Sequence, residues 1–300
     1  MLKIAWKDNY VQPLPPGHRF PMEKYELIPE QLLYEGTITN DNLFQPERVT
    51  EEQIIAVHDA GYWERLRKLE LSPREQRKTG FPHNDKLIER EVTIMGGTLE
   101  CTEHALLHGI SMNIAGGTHH AFTNRGEGFC LLNDIAIASA HLMRHHAIKK
   151  ILVVDLDVHQ GNGTAEIFRE DARVFTFSMH GRNNYPHRKE VSDRDIELED
   201  KTDDKTYLRI LQNELPRLID TVEPEFIFFQ TGVDVLENDK LGKLGMTIFG
   251  CRERDRFVLE TCKRNDIPVV CSMGGGYSVK IRDIIEAHAN TYRLAQEVFF

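Results

Sequence analysis

Short apolar, β-rich runs alternate with amphipathic helical stretches through the middle and C-terminal parts of this 300-residue chain. This alternation is typical of βαβ units, in which a helix connects two parallel strands. It predicts an α/β protein with a mostly parallel central sheet. The predicted strands cover residues 111–115, 150–157, 173–179, 225–230 and 268–273. The predicted helices cover residues 133–146, 202–220, 252–265 and a last segment from about residue 280 onwards.

The remaining segments give weaker signals. "TEEQ" at residues 50–53 is a capping box, and it predicts a helix that carries Ile54, Ile55, Val57 and Tyr62. Two polar stretches, residues 71–85 and 181–205, are predicted to be long surface loops. Neither has the composition of an interdomain linker, and the chain has no internal repeat. A single domain, residues 1–300, is therefore expected.

Charge and cysteine content narrow the possible partners and the compartment. The 47 acidic residues outnumber the 37 basic ones, which gives a net charge of -10. Such a chain should repel a phosphate backbone, so no direct nucleic-acid binding is expected, while an acidic surface suits a cationic substrate. The N-terminus has no signal-peptide pattern and no stretch is long enough to span a membrane, which predicts a cytoplasmic protein. The five cysteines form no C-x-x-C pair and are expected to be reduced core residues.

The run "ILVVDLDVHQGNG" ends a predicted buried strand with ionisable residues. If the strand continued, Asp155, Asp157 and His159 would share one face, since side chains alternate along a strand. Burying three such groups side by side is costly without a cation or a dense hydrogen-bond network. This segment therefore indicates a functional site.

Other predicted strands also end in reactive residues. "GGTHHAF" brings His119 and His120 after the first of these strands, Asp234 follows the fourth, and "GGGY" places Tyr277 after the fifth. Because ligands bind outside the carboxyl ends of strands in open α/β sheets, these side chains are expected to converge.

The convergent residues suit hydrolysis of an amide. Asp157, His159 and Asp234 make a three-ligand set for a divalent cation with an open position. Two oxygen ligands and one nitrogen fit zinc but also iron(II) or cobalt(II). A nearby imidazole can take a proton from water, and a phenol can donate a hydrogen bond to an oxyanion.

In these residues the chain resembles the zinc-dependent histone deacetylase superfamily, which has the arginase/deacetylase fold. The resemblance implies a three-layer α/β/α domain and a zinc-dependent deacylase acting in lysine deacetylation. It covers most of the chain, and "RKTGFP" at residues 77–82 is most similar to the class IV branch. The motifs that carry it are "PGHRFPMEKY", "VHDAGYWERL", "GGTHHAF", "EGFCLLND", "DLDVHQGNG", "GVDVLENDKLG" and "GGGY".

The resemblance also implies a role for each residue. Asp157, His159 and Asp234 would be the zinc ligands. His120 would act as general base and later protonate the leaving amine, and His119 would assist it electrostatically.

Around this centre, Tyr277 would hold the scissile carbonyl and Asp155 would orient His119. Gly128 and Phe129 would line the acyl-lysine tunnel. A structural potassium ion would bind Asp155, Asp157, His159, Ser178 and Met179.

Two positions depart from the family pattern. Asn162 stands where class I relatives have an Asp that partners His120, and an amide cannot stabilise an imidazolium as a carboxylate does. Thr118 replaces an aromatic residue next to the histidine pair.

Several alternatives stay open from the sequence alone. The substrate could be an acetyl-lysine protein or peptide, a long-chain acyl-lysine, or an acetylated polyamine. A two-manganese ureohydrolase of the same fold is disfavoured, because Gly161, Gly232 and Leu236 occupy positions where bridging acids are needed. A non-catalytic binding module is opposed by the complete set of ligands and catalytic groups. The acyl length and the oligomeric state are not determined.

Overall fold

One sheet of eight parallel strands forms the centre of the computed structural model, which describes all 300 residues. The strand order is β2-β1-β3-β8-β7-β4-β5-β6, and every neighbouring pair is parallel. The predicted α/β fold with a mostly parallel sheet is confirmed. The strands are β1 (Lys3–Ala5), β2 (Leu43–Phe44), β3 (Ile110–Asn113), β4 (Ile151–Asp155), β5 (Val174–Gly181), β6 (Arg194–Leu198), β7 (Phe226–Gln230) and β8 (Val269–Ser272).

Helices cover both faces of the sheet. They are α1 (Lys24–Tyr34), α2 (Glu51–Ile55), α3 (Ala60–Arg67), α4 (Pro73–Thr79), α5 (Asp85–His108), α6 (Asp134–His145), α7 (Asn162–Phe168), α8 (Asp204–Val222), α9 (Ile248–Arg264) and α10 (Ile281–Phe299). Strand β4 shows why two layers of helices are needed, since all five of its residues are buried. Leu152 and Val154 pack into the core beneath α8 to α10, whereas Ile151 and Val153 face α6 and the end of α5. A parallel strand buried on both faces reads as a continuous apolar run.

Each of the five predicted strands and four predicted helices has a counterpart, with ends that differ by a few residues. The two predicted surface loops were wrong in part. Residues 71–85 contain α4, which Ser72 and Glu75 begin with a reciprocal capping box and Gly80 ends in a left-handed conformation. Residues 181–205 contain β6, an edge strand that pairs with β5.

The predicted helix from residue 50 is two helices. The capping box of Thr50 and Gln53 is present, but α2 ends at Ile55. Asp59 then caps α3, because its side chain accepts a hydrogen bond from the backbone N–H of Tyr62. A second N-cap within ten residues starts a new helix, so Ile54 and Tyr62 lie on different helices.

The strand order places the loops of the predicted site side by side. Strands β3, β8, β7 and β4 are consecutive neighbours, so the loops that follow them meet at one edge of the sheet. All five cysteines are buried free thiols. None of the helices has both the length and the apolar character required to cross a bilayer.

Candidate active site

The acidic segment after β4 leaves the sheet earlier than predicted. Strand β4 ends at Asp155, so Asp157 and His159 lie in the following loop and not on one face of a continued strand. The Asp155 carboxylate accepts a hydrogen bond from the N–H of Asp157, and Asp157 accepts one from the N–H of His159. Such bonds to the backbone two residues on turn the chain.

Asp157, His159 and Asp234 converge on one point. Their ligating atoms all lie within 4.8 Å of one another, and the three residues are buried. His159 Nδ1 is 3.0 Å from Asp157 Oδ1 and 3.1 Å from Asp234 Oδ2. A single Nδ1 hydrogen cannot satisfy both carboxylates, whereas a cation bound by the nitrogen lone pair and both oxygens does so. The donor set therefore fits a divalent metal ion.

Backbone groups hold the two carboxylates in place. The N–H of Val158 donates to Asp234 Oδ1 at 2.9 Å, and the N–H of Gly275 donates to Asp157 Oδ2 at 2.8 Å. A Cβ at position 275 would collide with the Asp234 carboxylate, so only glycine permits this approach.

Arg254 on α9 ties the two ligand-bearing loops together. Its fully buried guanidinium donates to the carbonyl oxygens of Leu156, Thr231 and Gly232, and it pairs with Asp255. Leu156 precedes Asp157, and Gly232 lies two residues before Asp234. Nothing in the local sequence indicates this role, since Arg254 is distant along the chain from both loops.

A buried lysine lies behind the site and was also not predicted. Lys24 Nζ donates to the carbonyl of Gly274 at 3.0 Å and lies 5.8 Å from the centre of the Tyr277 ring. Burial lowers the pKa of Lys24 to about 8, although the Asp234 and Asp157 carboxylates oppose this shift.

His119 is paired with an acid, as the resemblance implied. Its Nδ1 lies 2.6 Å from Asp155 Oδ2, and both side chains are buried. Burial disfavours the charged imidazole, but the Asp155 and Asp157 carboxylates outweigh it and raise the pKa of His119 to about 9.

His120 has an amide partner instead. Its Nδ1 lies 2.6 Å from Asn162 Oδ1, and an amide oxygen only accepts, so Nδ1 carries the hydrogen. Burial, followed by the charges of His119 and His159, lowers the pKa of His120 well below its usual value. The neutral ring therefore has its lone pair on Nε2, where it is able to accept a proton.

Tyr277 lines the same cleft as both histidines, Gly128 and Phe129. Burial, with the nearby Asp234 and Asp157 charges, raises the pKa of Tyr277 well above its usual value, so the phenol stays protonated. Its ring centre is 5.9 Å from that of Phe129. Gly128 has a φ of +54°, and a Cβ there would press on the His120 ring.

Tyr185 contacts the ring of His120 and was not predicted from the sequence. Its ring packs edge-on against His120, with 5.0 Å between the centres, and its hydroxyl donates to Glu127 at 2.6 Å. It lies in the segment predicted to be a surface loop, which carries no periodic pattern.

The residues proposed for potassium lie at two adjacent strand ends. Asp155 of β4 pairs in register with Ser178 of β5, and Met179 is the next residue. Ser178 Oγ is hydrogen-bonded to His180 Nδ1 at 2.9 Å. Asp157 and His159 continue from the same end of β4.

A parallel α/β sheet with the buried cluster of Asp157, His159 and Asp234 at its carboxyl edge is typical of a hydrolase of the arginase/deacetylase fold. Residues 18–292 match the histone deacetylase domain, and the chain belongs to that family. Over 99% of both chains it is 42% identical to an uncharacterized protein of Picosynechococcus sp.. It is 28% identical to histone deacetylase 2 of Arabidopsis thaliana, over 87% of this chain and 70% of that protein. It is 27% identical to the acetoin utilization protein AcuC of Staphylococcus aureus, over 87% and 73% of the two chains.

Proposed function

We propose that this hydrolase is a metal-dependent deacylase that removes an acyl group from lysine or a lysine-like amine. The observation that carries the proposal is the placement of His119, His120 and Tyr277 around the buried group of Asp157, His159 and Asp234 in one cleft. General base, oxyanion donor and metal ligands are then available to one amide bond.

Asp157, His159 and Asp234 would hold one divalent ion, which we propose to be zinc, with iron(II) or cobalt(II) accepted by the same donors. When bound, the ion supplies Lewis-acid polarisation of the carbonyl and lowers the pKa of water. The proposed structural potassium ion would bind at Asp155, Asp157, His159, Ser178 and Met179.

The side chains of the cleft would move the protons. His120 Nε2 takes a proton from the attacking water and returns it to the amine that leaves. Asn162 fixes this tautomer through Nδ1. His119, held by Asp155, adds positive charge beside the reaction, and the Tyr277 hydroxyl donates to the developing oxyanion.

Packing at Gly161 and Gly232 favours one metal ion over two. A Cβ at Gly161 would collide with the Asp155 carboxylate, and one at Gly232 would collide with that of Asp157. The bridging acids of a two-manganese ureohydrolase therefore have no room at these positions.

The segment that resembles class IV borders the proposed tunnel. Within residues 77–82, Phe81 packs on Phe129 and Phe20, with ring centres 5.3 and 5.1 Å apart. We propose a class IV-like enzyme on this basis, with long-chain acyl-lysine and acetyl-lysine as equal candidates.

Strands from Lys3 to Ser272 share one sheet, so we propose residues 1–300 as one catalytic domain. The free cysteines suit a reducing compartment, and we propose the cytoplasm.

Three peptides that differ only in their acyl-lysine, carrying acetyl, octanoyl or myristoyl, test the activity. We expect the purified protein to release the free lysine peptide from at least one of them, measured by mass spectrometry, and to release little amine from acetylputrescine. If none of the three peptides is hydrolysed, the proposed function is wrong.

A further inference from the structure

A second groove, of about 700 Å³, adjoins the catalytic cleft. Gly128 lines both spaces. The groove also reaches Asn162, which contacts His120, and Tyr185, whose ring packs on His120. A substrate whose acyl-amine enters the cleft would therefore place its flanking atoms in or beside this groove.

Basic side chains dominate the groove, although the whole chain has a net charge of -10. Two carboxylates accompany four cations there, and both are already engaged. Glu127 accepts from Lys78, Arg125 and Tyr185, while Glu190 pairs with Arg169. The cations that line the groove are Arg19, Lys78, Arg125 and Arg188.

Arg19 and Arg188 have no carboxylate partner and are exposed to solvent. The Arg19 guanidinium lies over the Phe129 ring, 5.0 Å from its centre, so one positive charge is fixed at the wall of the cleft. Next to Arg188, Lys189 Nζ donates to the backbone carbonyls of Asn184 and Pro186. These bonds hold the short segment that ends in Arg188.

From this charge pattern we infer that the enzyme selects acyl-lysine substrates that carry carboxylates next to the acylated residue. The inference rests on the proposed function and adds the chemical class of the substrate. Unpaired cations in the groove beside the catalytic cleft attract anions and repel other cations. The charge of the groove is opposite to the net charge of the chain. The groove therefore favours an anionic substrate, whereas the net charge alone suits a cationic one. A polyamine is disfavoured for the same reason.

Three octanoyl-lysine peptides of equal length test the inference, with two Asp, two Ser or two Lys residues flanking the acylated lysine. We expect the Asp peptide to have a kcat/KM about tenfold above that of the Lys peptide at low ionic strength. The difference should lie in KM, because the cations do not touch the reacting atoms. It should shrink in about 1 M salt, where the screening length falls to about 3 Å.

The double substitution Arg19→Glu and Arg188→Glu should abolish or reverse the preference, and the change should lie in the relative KM values of the Asp and Lys peptides. A matched control, Arg217→Glu with Arg264→Glu, changes the net charge equally at two exposed positions. These positions lie near the ends of α8 and α9, where the chain enters the amino ends of β7 and β8, away from the groove. The control should keep the preference of the parent.

Binding of the same peptides, labelled with fluorescein, to the Tyr277→Phe variant separates charge selection from turnover. Tighter binding of the Asp peptide, with no hydrolysis by the parent of any of these peptides or of the acetyl- and myristoyl-lysine peptides, would support the charge selection and contradict the proposed function. Equal rates and equal affinities for all three peptides, or a preference for the Lys peptide, would overturn the inference.

Discussion

Replacing His120 with alanine or Tyr277 with phenylalanine is expected to lower kcat for acyl-lysine hydrolysis by about two to three orders of magnitude. The first change removes the imidazole whose Nε2 is free to accept a proton, because Asn162 occupies Nδ1. The second removes only the hydroxyl that would donate to the oxyanion and leaves the ring against Phe129. Stopped assays of amine release on the best acyl-lysine peptide measure both effects.

Control substitutions of the same chemistry show whether the losses are specific. His108→Ala and Tyr34→Phe alter exposed side chains on α5 and α1, outside the cleft, and should keep the rate of the parent protein. Far-UV circular dichroism and metal content should match across the set. Hydrolysis by His120→Ala and Tyr277→Phe at the rate of the parent would show that these residues do not act in the proton transfers assigned to them.

Replacing Arg254 with alanine is expected to lower the free energy of unfolding by about 3–5 kcal/mol. The change leaves the buried Asp255 without its cation, with only the hydroxyl of Thr291 still donating to it. It also releases the carbonyls of Leu156 and Gly232, which are adjacent to the loops of Asp157 and Asp234. Urea unfolding measures the loss, and metal analysis of the folded fraction should show weaker retention.

Arg217→Ala is the matched control for Arg254, because Arg217 is an exposed arginine of α8. Such a surface change should alter stability by no more than about 0.5 kcal/mol. If Arg254→Ala is as stable as this control and keeps its metal, the loops are fixed by other contacts and the role given to Arg254 is wrong.

The parts of the site that follow strand ends could be predicted from the sequence. Apolar runs mark the strands, and parallel pairing brings their carboxyl ends together, so His119, Asp157, Asp234 and Tyr277 converge as expected. The path of the backbone between these residues was not predictable in the same way. Hydrogen bonds from the Asp155 and Asp157 carboxylates turn the chain after β4, which alternation along a strand does not anticipate.

Lys24 and Arg254, which support the site, could not be predicted because the residues they contact are distant in sequence. Lys24 bonds to Gly274 across 250 positions, and Arg254 reaches Leu156 across 98. Neither residue lies in a segment with an unusual local pattern. The net charge of the chain also gives no information about the placement of Arg19 and Arg188 beside the cleft.

Elemental analysis of the purified protein measures whether Asp157, His159 and Asp234 hold one metal ion, on which the proposed chemistry depends. We predict about one catalytic divalent ion per chain, as for an open three-ligand site. The ion should be lost in Asp234→Asn and retained in Asp266→Asn, which changes an exposed acid beyond the end of α9. Two divalent ions per chain, or one that survives in Asp234→Asn, would contradict the single-metal deacylase site.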